Sequence, residues 1–96
     1  MPEYTDQVTN NTEKNQFQVV SGSQVSKLVY RMEGGKLALV HTEVPEELSG
    51  QGIGSALVEY ALNYAKENQL VVLPYCPFVA SYVARHSEWE DIVESV

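Results

Sequence analysis

The sequence predicts an α/β domain of the mixed α+β kind: an antiparallel meander of three strands, a crossover helix, a fourth strand parallel to the third, and a second helix. Three observations predict it. Strand-like runs at residues 17–20, 25–32 and 36–44 are divided by turn residues, and an apolar stripe at helical spacing runs from Ile53 to Tyr64. A wholly apolar run, Leu70-Val71-Val72-Leu73, follows and leads through Pro74 and Pro77 into another helical segment. With 96 residues the chain has room for one modest core and no second lobe.

Each element has its own local reason. Residues 1–15 are rich in Thr, Asn, Gln, Asp and Glu and show no apolar periodicity, so a flexible polar tail is expected, with 16–96 as the single domain. Residues 17–20 read as a short strand and Ser21-Gly22-Ser23 as a turn. The second strand, 25–32, has Leu28, Tyr30 and Met32 on one face. Glu33-Gly34-Gly35-Lys36 then reads as a hairpin, because two glycines supply the positive φ values of a tight turn, and the third strand returns antiparallel over 36–44. After Pro45 a helix over about 52–68 carries Ile53, Ala56, Leu57, Tyr60, Ala61 and Tyr64 on one stripe, which must cover the sheet. The run 70–73 suits a strand covered on both faces, and the crossover makes it parallel to the third. Four strands and two helices result.

Composition removes several classes of function. A net charge of −7, with only six Lys and Arg and none of them clustered, argues against nucleic acid or an anionic membrane as partner. No apolar stretch approaches the ~20 residues that span a bilayer, and the N-terminus lacks the basic and apolar regions of a secretory signal. One cysteine forms no internal disulfide, which fits a reducing compartment, and a cytoplasmic location is expected. His41 and His86 are far apart and no helical His pair or Cys-x-x-Cys exists, so no metal is implied.

The most informative stretch is Ser49-Gly-Gln-Gly-Ile-Gly-Ser-Ala56, between the third strand and the first helix. A glycine-rich turn opening a helix is an anion cradle: the first amides of the helix have no partner within it and the helix dipole adds partial positive charge. A P-loop requires Gly-x-x-x-x-Gly-Lys-Ser/Thr, but no Lys lies between Lys36 and Lys66. A dinucleotide fingerprint fails as well, since Gly-x-Gly-x-x-Gly counted from Gly50 ends on Ser55 and counted from Gly52 ends on Leu57. The stretch resembles the pyrophosphate loop of GNAT superfamily acyltransferases, Gln/Arg-x-x-Gly-x-Gly/Ala, with Gly52 and Gly54 as its glycines. One position departs: Ser49 stands where that family has Gln or Arg.

A second segment strengthens the resemblance. Leu70-Val-Val-Leu-Pro-Tyr-Cys-Pro-Phe-Val-Ala-Ser-Tyr-Val-Ala-Arg-His86, taken with His41-Thr-Glu-Val-Pro-Glu-Glu-Leu-Ser-Gly-Gln-Gly-Ile-Gly54, is similar to the short, single-domain GNAT-like proteins over roughly residues 17–93. The resemblance implies a minimal GNAT-like core without the family's usual early helices, which in larger relatives build much of the acceptor pocket. It also implies acetyl-CoA or coenzyme A as cofactor, its pyrophosphate on Gly50, Gln51, Gly52, Ile53, Gly54 and Ser55. The pantetheine arm would lie against the backbone around Glu43 and Val44, and the thioester would end near Pro74 and Cys76.

Acyl transfer to an amine needs a base for the amine proton and an acid for the departing thiolate. Pro77 suits the first position of a helix, which sets Cys76 at the N-cap, where the dipole favours thiolate. The short GNAT-like group has a cysteine at this place, which points to an acylated cysteine or one that only contacts the thioester; the alternative is a small buried hydrophobe. His41 and Glu43, two apart on a strand, share a face, and either is a candidate base; each is equally a structural or solvated group. Tyr82 is the candidate acid by resemblance, although the family's tyrosine falls nearer Val83, and Phe78 and Tyr82 also make an ordinary helical core pair. Two functions follow: an acetyl-CoA-dependent N-acetyltransferase acting on an amine, or a CoA-binding or protein-interaction module with little chemistry. The sequence does not identify the acceptor amine or the oligomeric state.

Overall fold

A computed structural model describes residues 4–96. Five strands form one sheet in the order β1-β2-β3-β4-β5, comprising β1 (Thr9–Asn11), β2 (Gln16–Ser21), β3 (Gln24–Met32), β4 (Lys36–Glu43) and β5 (Val71–Pro74). The first four pair antiparallel and β5 runs parallel to β4. Helix α1 (Ile53–Glu67) makes the crossover and α2 (Pro77–Arg85) follows β5. The mixed α/β architecture expected from the sequence is therefore the one formed.

The meander rests on the hairpin at Gly34 and Gly35, whose φ values of 56° and 81° are the left-handed ones a two-residue turn requires. Glu33 and Lys36 exchange both backbone hydrogen bonds across it, at 2.8 and 3.2 Å. Above the sheet, α1 buries Ile53, Ala56, Leu57, Val58, Ala61, Leu62 and Ala65, a face wider than the expected stripe. Tyr60 and Tyr64 sit at its margin, each meeting the ring of Phe17 edge-on at 5.5 Å, while Phe17 also lies 4.7 Å from Tyr30. Phe17 is fully buried and joins sheet to helix.

The N-terminal segment departs from expectation. Residues 1–15 were expected as a tail outside a four-stranded sheet, yet Tyr4–Gln7 forms a 3-10 turn packed on α1, and β1 adds a fifth strand beside β2. Residues 1–3 lie outside the described residues. The attachment is long-range: Val8 is buried, the Tyr30 hydroxyl donates to Asn10 Oδ1 at 2.8 Å, and the Tyr4 hydroxyl donates to Gln51 Oε1 at 2.7 Å. A strand whose own side chains are polar, carried by one apolar neighbour and by partners elsewhere, has no periodic signature.

At the other end of the chain Trp89 and Ile92 pack on the core, Val93 bridges Val72, and Glu94 N–H donates to Val72 O at 2.9 Å. This covers the outer edge of β5. Among the described residues, no helix is long and apolar enough to cross a membrane, and no group of three or more His, Cys, Asp or Glu is placed to hold a metal ion.

Candidate functional site

The sheet opens between β4 and β5. Their parallel pairing ends at Leu39 opposite Pro74, and the last backbone bond across it runs from Cys76 N–H to Leu39 O at 2.9 Å. Residues 40–43 continue β4 with β3 as their strand neighbour. Here β4 also carries a bulge: Tyr30 faces Leu39 but Val29 faces His41, so Val40 is the extra residue. Because side chains alternate along a strand, one inserted residue exchanges the faces of everything after it. Thr42 consequently lies opposite Leu28 on the helix-covered side, while His41 opposite Val29 and Glu43 opposite Lys27 turn to the other.

On the helix-covered side a cavity of about 470 Å³ is lined by Thr42 on β4, by Val44 and Leu48 just beyond the strand, by the loop from Ser49 to Ser55 apart from Gln51, and by Phe78. The loop is shaped for an anion. Gly50 and Gly52 hold φ values of 80° and 85°, and no atom lies within 4 Å of where a Cβ would sit on either, so backbone conformation rather than crowding demands glycine there. Gly52 is the N-cap of α1 and no side chain caps the helix. The amides of Ile53, Gly54 and Ser55 thus belong to an uncapped first turn opening on the cavity.

Gly54 differs from the other two. Its backbone is helical, and an added Cβ would fall 3.0 Å from Cζ of Phe78 and 3.2 Å from its Cε2. The missing side chain makes room for the Phe78 ring, and this pairing joins the first turns of α1 and α2 at the cavity wall.

Cys76 is the N-cap of α2 with Pro77 at the first helical position, as expected. It is 4% exposed, and its Sγ lies 3.3 Å from Thr42 Oγ1. Burial pushes the thiol up, but the hydrogen bond with the Thr42 side chain and those from the backbone amides of Val79, Phe78 and Thr42 outweigh it, leaving the pKa below the usual thiol range.

The remaining candidates separate. His41 Nε2 and Glu43 Oε2 are 3.7 Å apart and Lys27 Nζ is 3.5 Å from Glu43 Oε1, all on the face away from the cavity. Tyr82 is buried on α2, stacked on His86 with ring centroids 4.1 Å apart, and does not line the cavity. Burial raises its phenol, with the charges of Glu59 and Glu88 adding to the effect. Pro74 ends β5 and lines a second cavity with Ala80, Val83 and Val93. The Gln51 side chain is engaged by Tyr4. Of the expected cofactor positions, Val44, Gly50, Gly52, Ile53, Gly54 and Ser55 are brought together; Thr42, Leu48 and Phe78 join them without having been singled out by sequence. Phe78 was legible as the residue beside Cys76-Pro77, but Thr42 depends on a bulge that nothing in the composition marks.

Comparison with protein families places this architecture. The model of the GCN5-related N-acetyl-transferase family matches residues 8–92. The chain belongs to the GCN5-related N-acetyltransferases. The NMR solution structure of a GCN5-like protein from Staphylococcus aureus is similar in fold, with a TM-score of 0.75 and 22% identity, covering 100% of this chain and 93% of that one. As a GCN5-related N-acetyltransferase, this chain has a transferase's fold, and acyl transfer is the chemistry its family supports.

Proposed function

We propose that the protein is an acetyl-CoA-dependent N-acetyltransferase that acylates an amine. The observation that carries the reading is the cavity itself: one opening is lined by the uncapped first turn of α1 and by Thr42 and Val44 at the splayed end of β4, and Thr42 touches Cys76. The amides of residues 50–55 would hold the pyrophosphate, with no demand on Ser49 as a side-chain donor. The stretch from Val40 to Val44, unpaired on its β5 side, would receive the pantetheine arm, and the acyl group would end at Cys76.

In this reading Cys76 would supply the nucleophile: its thiolate would form an S–C bond to the acyl carbon as the donor's thioester C–S bond breaks, and the departing CoA sulfur would take its proton from water. A neutral amine then attacks the acyl carbon, the Cys76 S–C bond breaks and the thiolate is regenerated. The proton lost by the amine passes to Glu43 or His41, directly or through water, so the amine would enter through the gap between β4 and β5 from their face. The raised, protonated phenol of Tyr82 suits an acid in character, but its place outside the cavity lining favours a packing role.

The near-complete burial of Cys76 supports a second reading, in which the thiol lines the site and the protein is a CoA-binding or protein-interaction module. Calorimetric titration with CoA and acetyl-CoA, followed by intact mass after incubation with acetyl-CoA and a panel of primary amines, separates the two. Binding with acylation of Cys76 or of an amine is expected. Binding with neither selects the CoA-binding module, and no binding by folded protein overturns the transferase and the CoA-binding module alike, leaving protein interaction.

A further inference from the structure

We infer that Thr42 is a positioning residue that holds Cys76 in its reactive form by donating its hydroxyl hydrogen to the sulfur. The inference rests on the reading of Cys76 as nucleophile. Three independent features of geometry support it. The bulge at Val40 is what turns Thr42 rather than His41 toward the helix-covered side of the sheet. The Thr42 hydroxyl then lies 3.3 Å from Cys76 Sγ, within the range for a hydrogen bond to sulfur, across 34 residues of sequence. Thr42 also lines the cavity that carries the glycine loop, so it touches the nucleophile and the cofactor's space at once.

The surroundings leave the thiol in the hands of such neutral donors. On β4 the titratable neighbours His41 and Glu43 turn to the opposite face, and on the β5 side Tyr75 is exposed with Arg31 over its ring. The first turn of α1 carries no acidic residue, that of α2 carries none either, and Tyr82 on α2 is stacked on His86. The basic residues of these elements stand away from Cys76 along the chain: Lys66 and Arg85 are in the last turns of α1 and α2, and Lys36, at the start of β4, pairs with Glu94. A thiolate at 4% exposure must therefore draw its stabilisation from the Thr42 hydroxyl and the α2 amides.

The same bond serves both halves of the reaction. Before acylation it raises the thiolate fraction; when the S–C bond to the acyl group forms, the sulfur loses its charge and the bond weakens. When the amine displaces the sulfur, the bond strengthens again on the leaving thiolate, which lowers the barrier to its departure.

The chain has a single cysteine, so alkylation by iodoacetamide followed by intact mass reports on Cys76 alone. The readout is the pH midpoint of the alkylation rate in wild type, Thr42→Val and Thr42→Ser. Thr42→Val keeps the shape and removes the donor; it should move the midpoint up by roughly one pH unit, so that the rate below the midpoint falls about three- to fourfold while the high-pH plateau holds or rises up to about threefold, because a more basic thiolate is the better nucleophile. Thr42→Ser should restore the wild-type midpoint. A merely structural role would change the plateau or the melting temperature and leave the midpoint in place. Thr42→Ala repeats the removal if the valine variant melts too early. An unmoved midpoint in a folded Thr42→Val or Thr42→Ala protein, or no restoration by serine, overturns the inference. Because alkylation needs no acyl-CoA, the outcome is distinct from that of the parent reading: wild type that is never acylated by acetyl-CoA refutes the nucleophile while the midpoints still judge Thr42.

Discussion

Gly54 and Phe78 are complementary: the position of a Cβ on Gly54 is 3.0 Å from the tip of the Phe78 ring. The family loop offers phosphate as the reason for a glycine here, whereas the contact shows an aromatic ring occupying the space. Phe78 is 39% exposed, so the ring can swing away, and the room it has to swing into is the cavity it lines. Gly54→Ala should change stability by only about 1 kcal/mol, since better helix propensity offsets the crowding. It should weaken CoA binding, and in a Phe78→Leu background the same substitution should have less effect. A double-mutant cycle on CoA affinity measures the coupling; additive effects would disconnect the pair from the cavity.

Ser55 allows the phosphate cradle to be tested without straining the backbone. Any side chain at Gly52 is strained by its φ of 85°, so a loss of binding there would mix two causes. Ser55 is exposed, lines the cavity and stands at the third position of α1, where an acidic side chain favours a helix and repels an anion. Ser55→Glu should keep or raise the melting temperature and weaken CoA binding by about tenfold or more, a cost of roughly 1.4 kcal/mol. Equal affinity in calorimetry would remove the pyrophosphate from this loop.

The N-terminal segment should matter to stability. Deleting residues 1–11 removes the buried Val8, the β1 pairing with β2 and the Tyr30–Asn10 hydrogen bond. The loss should be about 2–4 kcal/mol, dominated by the apolar burial, and the melting temperature should fall by roughly 10 °C or more. An unchanged melt would mean that the segment docks without contributing.

These contrasts show what the sequence could convey. The hairpin, α1, the β4–β5 crossover and the N-cap place of Cys76 were legible because each is written in local chemistry: Gly34-Gly35, a 3.6-residue stripe, an apolar run, Cys76-Pro77. Strand β1 was not, since its side chains are polar and its hold depends on the buried Val8 and on Tyr30, twenty residues beyond its partner Asn10. The site was half legible. The glycine loop announced itself, but one bulge residue, Val40, decided which of His41, Thr42 and Glu43 would meet the cavity, and a bulge depends on how β3 and β4 register in space.

The depressed thiol also links Cys76 to pH-dependent stability. A group whose folded pKa lies below its unfolded value stabilises the fold most above the unfolded pKa, and the contribution is lost as pH falls through the folded one. The melting temperature of wild type relative to Cys76→Ser should therefore rise from neutral pH toward pH about 9, the usual thiol range, with other titrations cancelling in the difference. A difference that shrinks with rising pH would mean that the burial of the sulfur dominates its hydrogen bonds.

The central claim is that the opening between the glycine loop and the end of β4 holds CoA, and titration of isotope-labelled protein with CoA, followed amide by amide in solution, tests it most directly. The account predicts that the largest shifts fall on residues 50–55 and on Thr42, Glu43 and Val44, next on Cys76 and Phe78, with β1 unaffected. Saturable shifts centred elsewhere, such as the cavity between Pro74, Val83 and Val93, or no shifts at all, would contradict it.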